Sequence, residues 1–167
     1  MRGTADWSPD GEWIVTGGVD AEGAGLFKIP AGGGMPVRIA KGDATNPVWS
    51  PVGDLIVYAG PNVSAFSPML AVRPDGSAVE MPPIRLHRDG VRVRFMPDGQ
   101  DLVFVGAEPV RDFWMLNVAT RKPRQLTRLA DRGTIVSFDV TPDGKYIVFD
   151  RLRENSDIVL IDLPTRP

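Results

Sequence analysis

A phrase that recurs four times, short apolar runs separated by turns, and the lack of any helical period together predict an all-β chain, a β-propeller segment of four blades. The phrase reads WSPDGEWIVTG at 7–17, WSPVGDLIVYA at 49–59, FMPDGQDLVFV at 95–105 and VTPDGKYIVFD at 140–150. Its prolines, Pro9, Pro51, Pro97 and Pro142, stand 42, 46 and 45 residues apart, a spacing that suits one four-stranded blade. Pro74, in RPDG at 73–76, breaks that spacing and belongs to a different place within its unit.

Each unit is expected to hold four short strands, A to D, and the boundaries fall at 1–41, 42–87, 88–129 and 130–167 within one segment, 1–167. Strand A ends at the proline, which has no N–H to give to a sheet ladder. An Asp-Gly pair then makes the A–B turn, expected as a two-residue hairpin whose positive φ both residues tolerate. In the second unit Val52-Gly53 keeps the glycine and loses the aspartate. Strand B is apolar on both faces, as in Ile14-Val15-Thr16, Ile56-Val57-Tyr58, Leu102-Val103-Phe104 and Ile147-Val148-Phe149. A strand buried on both sides belongs to a sheet lying between two others, and four-stranded sheets stacked in this way make a propeller. Strand C follows as GLFKIP (25–30), MLAVRP (69–74), FWMLNVAT (113–120) and DIVLIDLP (157–164), and strand D as runs such as VRIA (37–40) and RQLT (124–127). Blade 4 reaches its turn at Pro164 without a strand D, and so is expected to lack its outer strand.

Strand A also sorts its two faces. Trp7, Trp49, Phe95 and Val140 share a face with Ala5, Pro47, Val93 and Phe138, and are expected to seal blade against blade. The other face carries Asp6, Val48, Arg94 and Asp139. Equivalent positions on neighbouring inner strands approach each other around the channel, so Arg94 and Asp139 are expected to form an ion pair or to share a water there. With Asp6 they are the candidate ligand contacts.

The phrases WSPDGEWIVTG, FMPDGQDLVFVG and TPDGKYIVFD resemble the WD-like repeats of TolB-type propellers, in which an aromatic-Ser-Pro-Asp-Gly turn joins the first two strands of each blade. The resemblance covers all four units. The closing stretch, SFDVTPDGKYIVFDRLRENSDIVLIDLP, is similar to the last blade of propellers that end bacterial membrane-bound Ser/Thr kinases. It implies the C-terminal part of a larger sensor or receptor on the extracytoplasmic side. Such propellers serve many functions, so the resemblance specifies fold and not activity.

Composition excludes several classes. The 167 residues are 43% hydrophobic and 24% charged, with a formal net charge of −2, which gives no bulk attraction to nucleic acid or an anionic membrane. There is no cysteine, so thiol catalysis and disulfides are absent. No apolar run approaches the length that spans a membrane, the longest being short stretches such as IVLI at 158–161. The first residues hold no signal-like apolar stretch, which describes this chain and not any longer parent.

No catalytic residue, metal ligand set or cofactor motif emerges. His87 is the sole histidine, there is no Gly-x-Ser-x-Gly elbow to serve with it, and RLHRDG at 85–90 reads as a solvated loop. A metal centre wants several converging ligands, which disfavours a histidine-built metal site of the TolB-like lyase kind. Asp10, Asp98 and Asp143 read as turn residues, since the ligand spacing of a calcium loop is missing. Trp13 and Trp114 are open to ligand contact if they lie on a rim. Arg85, Arg88, Arg92, Arg94, Arg121, Lys122, Arg124, Arg128 and Arg132 crowd one stretch. Of these, Arg85, Arg88, Arg92, Arg124 and Arg128 form a candidate patch for an anionic partner, and solvated strand edges are the plainer reading.

The function expected is therefore a non-catalytic binding or scaffold module that recognises a protein or small ligand, with no nucleic acid and no membrane insertion. The alternative is the substrate-gating propeller of a prolyl-oligopeptidase-like hydrolase whose catalytic domain lies outside this chain. An open arc of four blades is expected to leave its end faces bare, favouring self-association.

Overall fold

The computed structural model describes residues 2–87, 93–106, 112–129 and 134–152. These residues are all-β, and none of their elements is a helix long and apolar enough to cross a membrane. The first sheet runs β1 (Arg2–Trp7), β2 (Trp13–Asp20), β3 (Gly23–Pro30) and β4 (Val37–Lys41), in that order and antiparallel throughout. The second runs β5 (Thr45–Trp49), β6 (Ile56–Ala59), β7 (Phe66–Val72) and β8 (Ala78–Val79). A further short strand, β9 (Arg85–His87), pairs with the first half of β7, so two short pieces share the outer position of that blade. The third sheet is β10 (Val93–Phe95), β11 (Asp101–Val105), β12 (Phe113–Asn117) and β13 (Pro123–Gln125). Of the fourth, β14 (Thr134–Val140) and β15 (Ile147–Leu152) are described. The predicted strand C at 157–164, and the missing strand D after it, lie outside the described residues.

The A–B turn differs from the expected two-residue hairpin. Gly11, Gly53, Gly99 and Gly144 have φ between +69° and +84°, whereas the residues before them, Asp10, Val52, Asp98 and Asp143, do not enter the left-handed region. In blade 1 the N–H of Gly11 donates to the Ser8 carbonyl at 2.9 Å, and the N–H of Ser8 donates to the Trp13 carbonyl at 2.8 Å. The loop thus has four residues, and proline's fixed φ starts the turn that glycine ends. The rest of the motif is hydrogen bonding within the loop. The Ser8 hydroxyl donates to Asp10 and accepts the N–H of Trp13 at 2.9 Å, while Asp10 accepts the N–H of Glu12 at 3.0 Å. Thr141, Asp143, Tyr146 and Lys145 repeat the arrangement in blade 4. The aspartates are turn residues, as expected.

These bonds act on the charged form of the carboxylate. The Ser8 hydroxyl and the Glu12 N–H hold the Asp10 carboxyl below its ordinary value, and the Thr141 hydroxyl and Lys145 N–H do the same for Asp143. A depressed folded pKa gives stability that is present above the unfolded value of 3.8 and is lost as pH falls through the folded value. Unfolding followed from pH 6 to 2.5 is expected to show stability falling below about pH 4. Asp143→Asn keeps an acceptor without the titration, and its acid slope is expected to be shallower than that of the wild type. An unchanged slope would show that the turn carboxylate is not linked to folding.

Three apolar clusters lie between successive sheets. Val15, Leu26 and Ile39 of blade 1 meet Trp49, Ile56, Tyr58 and Val72 of blade 2. Val57, Ala59, Met69 and Ala71 of blade 2 meet Val93, Leu102, Phe104 and Leu116 of blade 3. Val103, Val105 and Phe113 of blade 3 meet Ile135 and Phe138 of blade 4. Each B strand therefore presents one face backward and one forward, which is why its residues are apolar on both. Trp7 is the exception to the predicted seam. Trp49 is 7% exposed and Trp7 56%, because Trp49 faces blade 1 whereas Trp7 looks out from the first blade, where no described sheet covers it.

That outward face carries an arginine whose role the sequence does not announce. Arg38 lies over the Phe27 ring at 4.9 Å, pairs with Asp20 and donates to the carbonyls of Ala24 and Gly23. Gly25 makes room for it, since a Cβ there would lie 2.5 Å from the Arg38 guanidinium.

Candidate functional site

The inner strands β1, β5, β10 and β14 lie side by side, and each has one edge turned away from its own sheet. Between their ends is a depression of about 440 Å³, lined by Thr4, Asp6, Trp49, Arg94, Phe95 and Asp139 among others. The three candidates chosen from the strand A pattern thus share one surface. The alternation that buries every second residue of an inner strand leaves these intervening positions free to carry charge.

Their roles differ once partners are assigned. Arg94 Nε donates to Asp139 Oδ1 at 3.2 Å, so the predicted inter-blade ion pair is present. Arg94 Nη1 also donates to the Val93 carbonyl at 3.2 Å, and Asp139 Oδ1 accepts the Val140 N–H at 2.8 Å. Both side chains remain partly open to solvent, so the pair contributes at most about 1 kcal/mol and keeps its polar atoms within a ligand's reach. Asp6 is more committed. Oδ1 accepts the Trp7 N–H at 3.0 Å, and Oδ2 accepts the Trp49 N–H of the next blade at 2.8 Å. One carboxylate therefore satisfies free edge donors on two adjacent sheets, a structural duty that repeat position alone does not reveal. Beside it, Asn46 Oδ1 accepts the N–H of Thr4 at 3.0 Å, a second link between blades 1 and 2.

The basic stretch divides among several surfaces. Arg94 turns to the channel, and Arg121 pairs with Glu80 at 3.1 Å. Arg85 stacks over the Phe66 ring at 5.6 Å, Arg124 lies 3.1 Å from Met115 Sδ, and Arg128 is exposed. Arg88, Arg92 and Arg132 lie outside the described residues. Arg85 also helps to line a groove of about 250 Å³ with Pro83, Ile84, Trp114 and Pro123. Trp114, half-buried, offers its ring there, while its indole N–H has no partner. Trp13 is also half-buried, beneath the Lys28 ammonium at 4.5 Å.

His87 is not the loop residue that RLHRDG suggests. Arg85, Leu86 and His87 alternate exposed, buried and half-buried in β9, and the imidazole meets the Phe66 ring edge-on at 5.9 Å. Among the described residues no three His, Asp or Glu side chains converge as a metal site would need. Sequence reasoning also missed Asp112, which is 1% exposed just before β12. Its carboxylate accepts from the Thr127 hydroxyl at 2.5 Å and from the Leu129 N–H at 2.9 Å, tying down the chain beyond β13. Its only sequence signal is an acidic residue beside a long apolar run.

Three solved structures share this architecture. TolB from Acinetobacter baumannii matches with a TM-score of 0.67 and 17% identity, over 92% of this chain and 38% of its own. The putative TolB from Agrobacterium tumefaciens gives a TM-score of 0.62 and 20% identity, over 90% and 54%. An oligogalacturonate lyase in complex with manganese gives 0.68 and 19%, over 91% and 47%. No family model matches the sequence, and no curated protein matches it. The fold is a β-propeller. More narrowly, it is a propeller fold similar to that of the TolB structures, and the chain spans less than two thirds of each of these structures.

Proposed function

We propose that this chain is a non-catalytic recognition module that takes a protein segment or small ligand at the channel-mouth depression. The observation that carries this reading is the meeting of Asp6, Arg94 and Asp139 around about 440 Å³ of open space, on strands held rigid by three apolar seams. Asp6 fixes the wall, and the Arg94–Asp139 pair supplies a cation and an anion able to exchange their mutual contact for a ligand's. The same fold serves TolB and a lyase, so fold does not decide between binding and catalysis. What favours binding is this chain's own residues. It has one histidine, engaged with Phe66, and no cysteine. The wider role we assign is the recognition part of a larger bacterial sensor or receptor.

The test is a thermal-shift panel of acidic and basic peptides, uronic acids and neutral sugars, run on the wild type, Arg94→Ala and Asp139→Asn. A ligand that raises the wild-type Tm and loses that effect in one of the two variants supports the reading. Hits indifferent to both substitutions would overturn the site. Turnover of any of these compounds, abolished by a point substitution in this chain, would overturn the non-catalytic assignment.

A further inference from the structure

In each inner strand one backbone donor at the repeat position of Trp7, Trp49, Phe95 and Val140 turns away from its own sheet. The direction follows from the alternation of an antiparallel edge. One residue on, the Ser50 and Met96 N–H groups donate to their own sheets, at the Leu55 and Asp101 carbonyls, each at 2.8 Å. Trp7 and Trp49 both donate to Asp6, and Val140 donates to Asp139. Among the described residues no acceptor is bonded to the Phe95 N–H. The repeat shows why. Asp6 reaches forward from blade 1 to the Trp49 N–H, and its counterpart in blade 2 is Val48, of similar size but without an acceptor. Arg94, beside Phe95, is itself a donor. It uses Nε on Asp139 and Nη1 on the Val93 carbonyl, and Nη2 has no partner among the described residues. Val48, Arg94 and Phe95 all line the depression of about 440 Å³.

We propose that this part of the depression takes a ligand carboxylate, which does for the Phe95 N–H what Asp6 does for Trp49 and accepts from Arg94 as well. The inference rests on the reading of the depression as a binding site and adds the chemical class of its ligand. Two donors, one of them charged, stand together where the neighbouring junction has a carboxylate and this one has valine, and an ionised acceptor satisfies such a pair best. The charges nearby limit the ligand to one negative charge. Asp6 is held by two N–H groups, and Asp139 already shares Arg94, the one cation among the described lining residues. That leaves one guanidinium edge and one N–H, enough for a monoanion and too little for a doubly charged phosphate. Val48, Pro47 and Met96 make the wall apolar, so the carboxylate is expected on a short aliphatic stem. An aspartate or glutamate side chain of a polypeptide has that chemistry, and so does a small organic acid.

An amide-resolved NMR titration of the chain tests it. The probes are a short blocked peptide with one central aspartate, the same peptide with asparagine, propionate, and inorganic phosphate. The Phe95 amide proton is expected to move downfield and saturate with the aspartate peptide, and to respond at least tenfold more weakly to asparagine and to phosphate. Saturation by propionate too assigns the site to carboxylates in general, and saturation by the peptide alone assigns it to an acidic side chain in a polypeptide. Arg94→Gln is expected to weaken the aspartate peptide about tenfold. Val48→Asp supplies the carboxylate from within, and is expected to move the Phe95 amide without ligand and to abolish the response to the peptide. The titration of the unsubstituted chain decides the matter even where Val48→Asp does not fold. An asparagine peptide that binds as tightly, with the same dependence on Arg94, would leave the depression a binding site and overturn its preference for carboxylates. A Phe95 amide unmoved by every carboxylate, a stronger response to phosphate, or an affinity indifferent to Arg94→Gln would each overturn the proposal.

Discussion

Phe113→Ala is expected to destabilise the protein by about 4 kcal/mol, the largest effect of any single substitution considered. Phe113 is 1% exposed, and its ring meets Phe138 and Phe149 edge-on, each with centroids 5.1 Å apart. Truncation removes the transfer energy of a whole ring, leaves a cavity between two sheets and deletes two aromatic contacts. Among the described residues the cluster around Phe113 draws only on blades 3 and 4, so the loss is expected to fall on their junction. Chemical denaturation is expected to show the lowered stability, and limited proteolysis to cut first in blade 4. A variant with wild-type stability, or one cut first in blade 1, would show that the ring does not hold the junction.

Asp112→Ala follows at about 2–4 kcal/mol, for a different physical reason. The substitution removes no apolar contact of note, but it leaves the Leu129 N–H and the Thr127 hydroxyl without the acceptor they share. Gln125 Nε2 also loses its contact with Asp112 Oδ2 at 3.3 Å. A buried donor left unpaired costs more than the hydrogen bond contributed while it was formed. Asp112→Asn keeps one acceptor oxygen and is expected to recover part of the loss. Equal costs for the two variants would show that the carboxylate's hydrogen bonds are not what stabilises the segment.

The contrast between these two residues shows what the sequence makes legible. Phe113 begins the apolar run FWMLNVAT, which the repeat marks as a strand. The four phrases likewise reveal the strands, the blade order and the polar positions Asp6, Arg94 and Asp139. Other features depend on partners far away in the chain, and no local pattern encodes them. Trp7 and Trp49 sit in the same three-residue string, and only the neighbour each one meets separates a buried indole from an exposed one. The double duty of Asp6 needs the Trp49 N–H, 43 residues on. Arg38 reads as a surface charge until the ring of Phe27 is found beneath it. The turn differs from the expectation for a smaller reason: Asp-Gly is the usual sign of a two-residue hairpin, and the proline ahead of it begins a longer loop instead.

The closed hydrogen bonding of the Ser-Pro-Asp-Gly turn has a consequence for the order in which the chain folds. The bonds that close the first of these loops on itself join residues at most five apart, so the loop is expected to form at a small cost in chain entropy and on the timescale of a hairpin. The links between blades join residues far more distant, as in Thr4 with Asn46, Asp6 with Trp49 and Arg94 with Asp139, separated by 42, 43 and 45 positions. Blade hairpins are thus expected to form early, and the slow event is expected to be their docking, which has to bring sequence-distant seams together. In stopped-flow folding experiments, substitutions in a turn are then expected to act mainly on the rate of folding, and substitutions in a seam on the rate of unfolding.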